Sequence, residues 1–167
     1  MRRLLCLALA IGVSATVVSA QPQATATAAP DVHTTSADIE RVVVVRLKNG
    51  TDLLEALKQA VAREKITNGV ILSAFGSVTS YHVHVVDNTL FPPKDVYVKG
   101  NGPYDLLNVS GLIMNGRVHP HITLANPRQV VGGHLEPGTK VFTFANISIG
   151  VLAGSADLSR NDDWNWH

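Results

Sequence analysis

The residues of this chain best suited to chemistry are three histidines in its C-terminal third. His119 and His121 lie in Val118-His119-Pro120-His121-Ile122-Thr123-Leu124, and His134 lies in Val130-Val131-Gly132-Gly133-His134-Leu135. Two residues apart on a strand, His119 and His121 point to the same face. A divalent metal held by three imidazoles keeps a fourth position open, the arrangement of catalytic rather than structural zinc.

That geometry requires a hairpin. If Pro127 and Arg128 form its two-residue turn, opposed residues have indices summing to a constant, so His121 faces His134, His119 faces Glu136 and Thr123 faces Gly132. The three histidines then share one face, and Ile122, Leu124, Val131, Gly133 and Leu135 take the other as core. A slip of one residue would send His134 to the core side. Gly132, with no side chain, leaves room beside a metal. Glu136 is the candidate catalytic carboxylate, able to orient an imidazole or accept a proton, although a surface carboxylate before Pro137-Gly138 serves equally well as plain turn chemistry. Histidines on an exposed strand are commonly only solvated, and it is the third, in register, that turns a pair into a metal site.

A second same-face pair, His82-Val83-His84, could supply a fourth ligand if its strand adjoins the hairpin. Without a visible third partner it reads first as an exposed face. Both tryptophans, Trp164 and Trp166, fall in the tail, where docking on the domain or a neighbouring subunit explains them more simply than ligand stacking. Phosphate-cradling glycine loops, a G-x-S-x-G elbow and a dinucleotide fingerprint are missing from the sequence.

The elements that must position these groups are legible. Residues 41–47 form a β-branched strand, Lys48-Asn49-Gly50 a turn, and Thr51 caps a helix ending near Lys65 with Leu54, Leu57 and Val61 on its apolar face. Strands are expected at 70–77, 81–86, 96–99, 106–114, 119–124, 129–134 and 141–152. Turns at Gly100-Asn101-Gly102-Pro103, Asn115-Gly116, Asn126-Pro127 and Pro137-Gly138 separate several of them. One principal helix with a mainly antiparallel β-sheet is an α+β fold.

Composition and charge set the surroundings. Met1-Arg2-Arg3, an apolar run from Leu4 to Val18 and Val18-Ser19-Ala20 read as a signal peptide over residues 1–20, implying a secreted or periplasmic protein. Residues 21–38 read as a flexible leader containing His33, residues 39–158 as the folded domain and 159–167 as a C-terminal tail. The single cysteine, Cys6, leaves with the signal, which excludes disulfides and thiolate ligands from the mature chain. Loss of Arg2 and Arg3 leaves 12 Lys+Arg against 13 Asp+Glu, a net charge of −1, without the basic footprint of a nucleic-acid binder.

Residues 41–52 (RVVVVRLKNGTD), 70–78 (VILSAFGSV) and 106–111 (LLNVSG), then the H-x-H strand and Val130-Val131-Gly132-Gly133-His134-Leu135, follow in an order that resembles the plants-and-prokaryotes conserved (PPC) domain. The resemblance covers residues 41–152 and is most specific at Gly-Gly-His-Leu. It implies a compact α+β domain associating as a homotrimer. Tyr104-Asp105 departs from the family's aromatic-Glu pair. Plant members carry AT-hooks beside this domain, and bacterial relatives are often labelled DNA-binding. Here Gly116-Arg117 is the nearest approach to an AT-hook core, and the export signal argues against nucleic acid as a partner. Acetolactate decarboxylase is similar in fold, with zinc on a comparable H-x-H and a later histidine. That likeness implies zinc at His119, His121 and His134, and either small-molecule binding or a zinc-dependent lyase or hydrolase acting on a small acid or ester.

Overall fold

The computed structural model describes residues 32–163. The expected signal segment, the leader up to residue 31 and the tryptophans of the tail lie outside them. The elements run β1 (Ile39–Lys48), α1 (Leu53–Arg63), β2 (Gly69–Val86), β3 (Asp95–Met114), β4 (Arg117–Asn126), β5 (Gln129–Leu135) and β6 (Val141–Leu152). A mostly antiparallel sheet with one short helix is therefore the architecture of the described residues. Strand order is β1-β6-β2-β3-β4-β5, and β5 returns to pair with β2. The strands β2, β3, β4 and β5 thus meet through a two-residue contact, which covers the C-terminal end of the edge that β5 would otherwise present.

Alternation of side chains decides which face is core. Along β4, Val118, Pro120, Ile122 and Leu124 are buried, while His119, His121 and Thr123 are not. Leu135, Val83, Val109 and Ile113 join the first set in a continuous apolar cluster. The helix lays Leu53, Leu54, Leu57 and Val61 into the same core. Full burial of side chains of this size contributes about 2 kcal/mol each.

Three local expectations are revised. The helix is capped by Asp52 rather than Thr51: Asp52 has extended backbone angles, and its carboxylate accepts from Glu55 N at 3.2 Å. The Asp52 carboxylate also accepts from Gly138 N at 2.7 Å, which ties the helix start to the turn beyond β5. Next, the segments expected at 70–77 and 81–86 form one strand, β2, as do those at 96–99 and 106–114 in β3. Finally, Gly100-Asn101-Gly102-Pro103 is not a turn but the place where the long β2–β3 ladder shifts register, between Val78 and Ser80 on the opposite strand. The Tyr81 ring occupies the space that a side chain at position 100 would need, 2.4 Å from an ideal Cβ, and packs edge-on to Tyr104.

Among the described residues no helix is long and apolar enough to cross a membrane. Beyond β6 the chain stays attached: Ala156 and Leu158 are buried, and Asn68 Nδ2 donates to Ala156 O at 2.8 Å.

Candidate metal centre

The β4–β5 hairpin has the register that the spacing demands. His121 pairs with His134, Thr123 with Gly132 and Asn126 with Gln129, around a two-residue Pro127-Arg128 turn. Asn126 stabilises that turn by accepting from the backbone N–H groups of Arg128 and Gln129 at 2.9 and 3.1 Å. His119 and His121 then emerge on the same side of β4 as His134 does on β5.

Their rings converge. His134 stands nearly perpendicular to His119 and His121, at interplanar angles of 87° and 83°, with centroids 4.7 and 5.2 Å away. One ligand nitrogen from each of the three lies within 4.8 Å of the others. The Nε2 atoms of His119 and His121 are 3.4 Å apart. Two nitrogens bound to one tetrahedral zinc at ordinary bond lengths are separated by about 3.3–3.4 Å. The pair is therefore spaced for a shared ion, and the donor set of neutral imidazoles suits a borderline divalent metal.

Electrostatics favour the neutral, ligating form. Burial lowers the His134 pKa to about 4, helped by His119, His84 and His121 and opposed by Glu136. The His121 pKa is lowered too, first by burial and then by His119 and His84. Imidazoles already free of protons bind metal without proton competition near neutral pH.

Glu136 is not where the hairpin count alone would put it. The hairpin ladder ends at the His121–His134 pair, Leu135 already pairs with Val83 of β2, and Glu136 N donates to His82 O at 2.9 Å on the same strand. The Glu136 carboxylate accepts from His84 Nδ1 at 2.7 Å rather than facing His119, which pairs instead with Leu112 of β3. His84, first read as part of an exposed face, pairs with His134 and stacks on it with centroids 4.5 Å apart and planes inclined by 24°. His84, His134 and Glu136 form a second group that could hold an ion. In that group, however, His84 Nδ1 and a Glu136 oxygen are 2.7 Å apart, a hydrogen-bond distance shorter than the spacing of two donors on one tetrahedral ion. The first group is the better cage. His82 is turned away, with its Nδ1 at 2.8 Å from Pro137 O.

The two glycines before His134 do different work from that expected. A Cβ at Gly132 would sit 3.0 Å from Ile122 O, so the hairpin backbone already fills the space foreseen there for a ligand. Gly133, at φ +159°, is the position that must lack a side chain: its Cβ would lie 2.6 Å from His84 O and 3.1 Å from Val83 Cβ. That close approach lets β2 reach β5 and brings His84 onto His134.

Sequence spacing also missed Asp162. Its carboxylate, only 11% exposed, hydrogen-bonds Arg117 and lies 3.6 Å from His119 Nδ1. Arg117 precedes His119 by two residues on the same face of β4, which was the one available clue.

Comparisons with known proteins agree with this fold. A metal-containing protein from Archaeoglobus fulgidus superposes with a TM-score of 0.65 at 24% identity, covering 75% of this chain and 89% of that one. A plant- and prokaryote-conserved protein from Pyrococcus horikoshii gives 0.59 at 22%, over 74% and 85%. A candidate DNA-binding protein from Bacteroides thetaiotaomicron gives 0.58 at 19%, over 74% and 86%. The bifunctional protein GlmU of Synechococcus sp. (strain JA-2-3B'a(2-13)) is 32% identical over 126 residues, 74% of this chain. The match spans only 18% of that relative's length. Residues 34–153 match the Plants and Prokaryotes Conserved (PCC) domain. With the Gly-Gly-His hairpin and the single-helix antiparallel fold, that match makes this chain a member of the plants-and-prokaryotes conserved domain family.

Proposed function

We propose that this chain is an exported metal-binding protein that holds one divalent ion, zinc, on His119, His121 and His134 and presents the ion's fourth position to a small polar or anionic molecule. The 3.4 Å separation of the His119 and His121 Nε2 atoms, with His134 perpendicular to both rings, carries this reading. The metal content named for the Archaeoglobus relative supports it. Metal analysis of protein purified without a histidine tag tests it. One equivalent of zinc or a similar ion is expected, falling to background in His121→Ala. A wild-type chain without metal affinity, or unchanged content in the variant, overturns it.

A catalytic role is favoured by one observation, the His84–Glu136 pair at 2.7 Å beside His134. When bound, zinc supplies Lewis acidity toward a small acid or ester. Glu136 would hold or release a proton through His84, the task assigned to it as the candidate catalytic residue. Chelator-sensitive activity on a panel of small acids and esters, lost in His134→Ala, is the expected sign of a lyase or hydrolase. Inertness of the metal-loaded protein across such a panel leaves binding as the role.

Self-association as a homotrimer follows from the family resemblance and has a surface to use. Val42 and Val44 of β1 and Leu72 and Phe75 of β2 are apolar yet between 46% and 68% exposed. Their burial between subunits would remove apolar area that monomers seldom leave open. Light scattering should give three times the monomer mass, and a monomer at micromolar concentration rules the trimer out. The DNA-binding description of the Bacteroides relative is testable on the same sample. Duplex DNA binding that weakens steeply with salt would favour it, and the near-neutral mature charge predicts none.

A further inference from the structure

We propose that Asp162 is a positioning residue for the metal centre, so that the segment after β6 completes a site otherwise built by the β4–β5 hairpin. The inference rests on the three-histidine reading above. Residue 162 lies beyond the 34–153 stretch that matches the family. Buried Ala156 and Leu158 hold the segment on the domain, and Leu158 O accepts from Asn161 N at 3.0 Å just before Asp162.

The Asp162 carboxylate is divided between two neighbours on one face of β4. One oxygen, Oδ2, takes a hydrogen bond from Arg117 Nη2, and the other, Oδ1, faces His119 Nδ1 at 3.6 Å. At this distance, longer than a hydrogen bond, the carboxylate's negative charge favours the ring's proton on Nδ1. The Nε2 lone pair is then free, and it is Nε2 that points at His121 Nε2, 3.4 Å away. Fixing the tautomer and angle of a ligating imidazole in this way raises its basicity and metal affinity. Arg117 serves as the clamp that keeps the carboxylate from swinging out to solvent. His134 receives comparable support from the stacked His84, so two of the three ligands are braced from behind, each by a different part of the chain.

The test uses the untagged full chain and two probes, Zn2+ affinity by competition with a chromophoric chelator and the visible spectrum of the Co2+-loaded protein. Asp162→Asn should weaken Zn2+ binding by about 10–100-fold and alter the Co2+ bands, while the melting curve of the metal-free protein stays within a few degrees of wild type. Asp162→Glu should recover part of the affinity. Arg117→Met should produce a smaller loss in the same direction. If wild type binds one ion and Asp162→Asn matches it in both affinity and spectrum, the inference is overturned while the three-histidine reading stands. If wild type binds neither Zn2+ nor Co2+, both fall together.

Discussion

His84 lies face to face on His134, its ring centroid 4.5 Å away, and gives its Nδ1–H to Glu136. This contact joins β2 to β5 at the point where the two strands meet, since His84 and His134 are also backbone partners. The His84 Nδ1 is taken up by Glu136, and the ring's Nε2 lies 4.0 Å from an Asp95 carboxylate oxygen. On the three-histidine reading proposed above, His84 supports His134 from behind and ligation falls to His119, His121 and His134.

Replacing His84 separates these roles. His84→Ala should retain one bound ion per chain but bind it about tenfold more weakly, because His134 loses its brace. Equilibrium dialysis with zinc reads both quantities. Complete loss of the ion, equal to that in His121→Ala, would make His84 a ligand and contradict the assignment.

The lowered pKa of His134 makes the metal-free protein sensitive to mild acid. Its folded value is about 4, against 6.5 for a free imidazole, so the unfolded chain binds more protons between those limits. Stability contributed by keeping His134 neutral is complete above pH 6.5, declines as pH falls and is fully lost below about pH 4. Urea midpoints of the metal-free protein at pH 7 and pH 5 should differ in that direction, and His134→Gln should flatten the difference. An equal slope in the variant would assign the acid sensitivity to other groups.

Of the two glycines before His134, Gly133 is the less able to change. A methyl group there meets the His84 carbonyl at 2.6 Å, in a backbone conformation at φ +159° that side chains rarely adopt. Gly133→Ala should cost about 2–4 kcal/mol and weaken metal binding as well, because β2 must retreat and take His84 with it. Gly132→Ala meets a single carbonyl at 3.0 Å and should cost less. Denaturant titrations of the two variants give the order, and a larger loss at Gly132 would reverse the assignment of roles.

Much of this site was readable from local spacing because a two-residue turn fixes register. Placing Pro127 and Arg128 in the turn is enough to set His121 opposite His134, and the structure has that pairing. The contacts that were not readable all cross long stretches of chain. His84 meets His134 through a β2–β5 pairing only two residues long, which leaves no periodic trace in sequence. Glu136 follows β2 rather than the hairpin because the ladder with β4 stops two residues earlier, at His134. The Gly100–Pro103 punctuation marks a register shift within β3, which has the same composition as a turn. The β2 and β3 strands are also longer than their apolar runs, because each continues through its glycines.

Asp52 shows how such a distant contact settles a local choice and what it contributes. Thr51 and Asp52 are both competent helix caps, but only Asp52 reaches a second partner: one oxygen accepts from Glu55 N at 3.2 Å and the other from Gly138 N at 2.7 Å, with Lys140 Nζ 3.2 Å away. The residue thus fastens α1 to the 137–140 turn that follows Glu136. Asp52→Ala removes a cap and a charge-assisted bond to backbone, a loss of about 2 kcal/mol. Thr51→Ala should cost well under half as much, since in the structure its main-chain carbonyl, not its hydroxyl, accepts from Val141 N at 2.9 Å. Thermal denaturation of the two variants measures the contrast. Hydrogen exchange adds a spatial reading: in Asp52→Ala the amide of Gly138 should lose protection together with that of Glu55, although 83 residues separate them in sequence. Protection lost at Glu55 alone would show that the turn holds without Asp52.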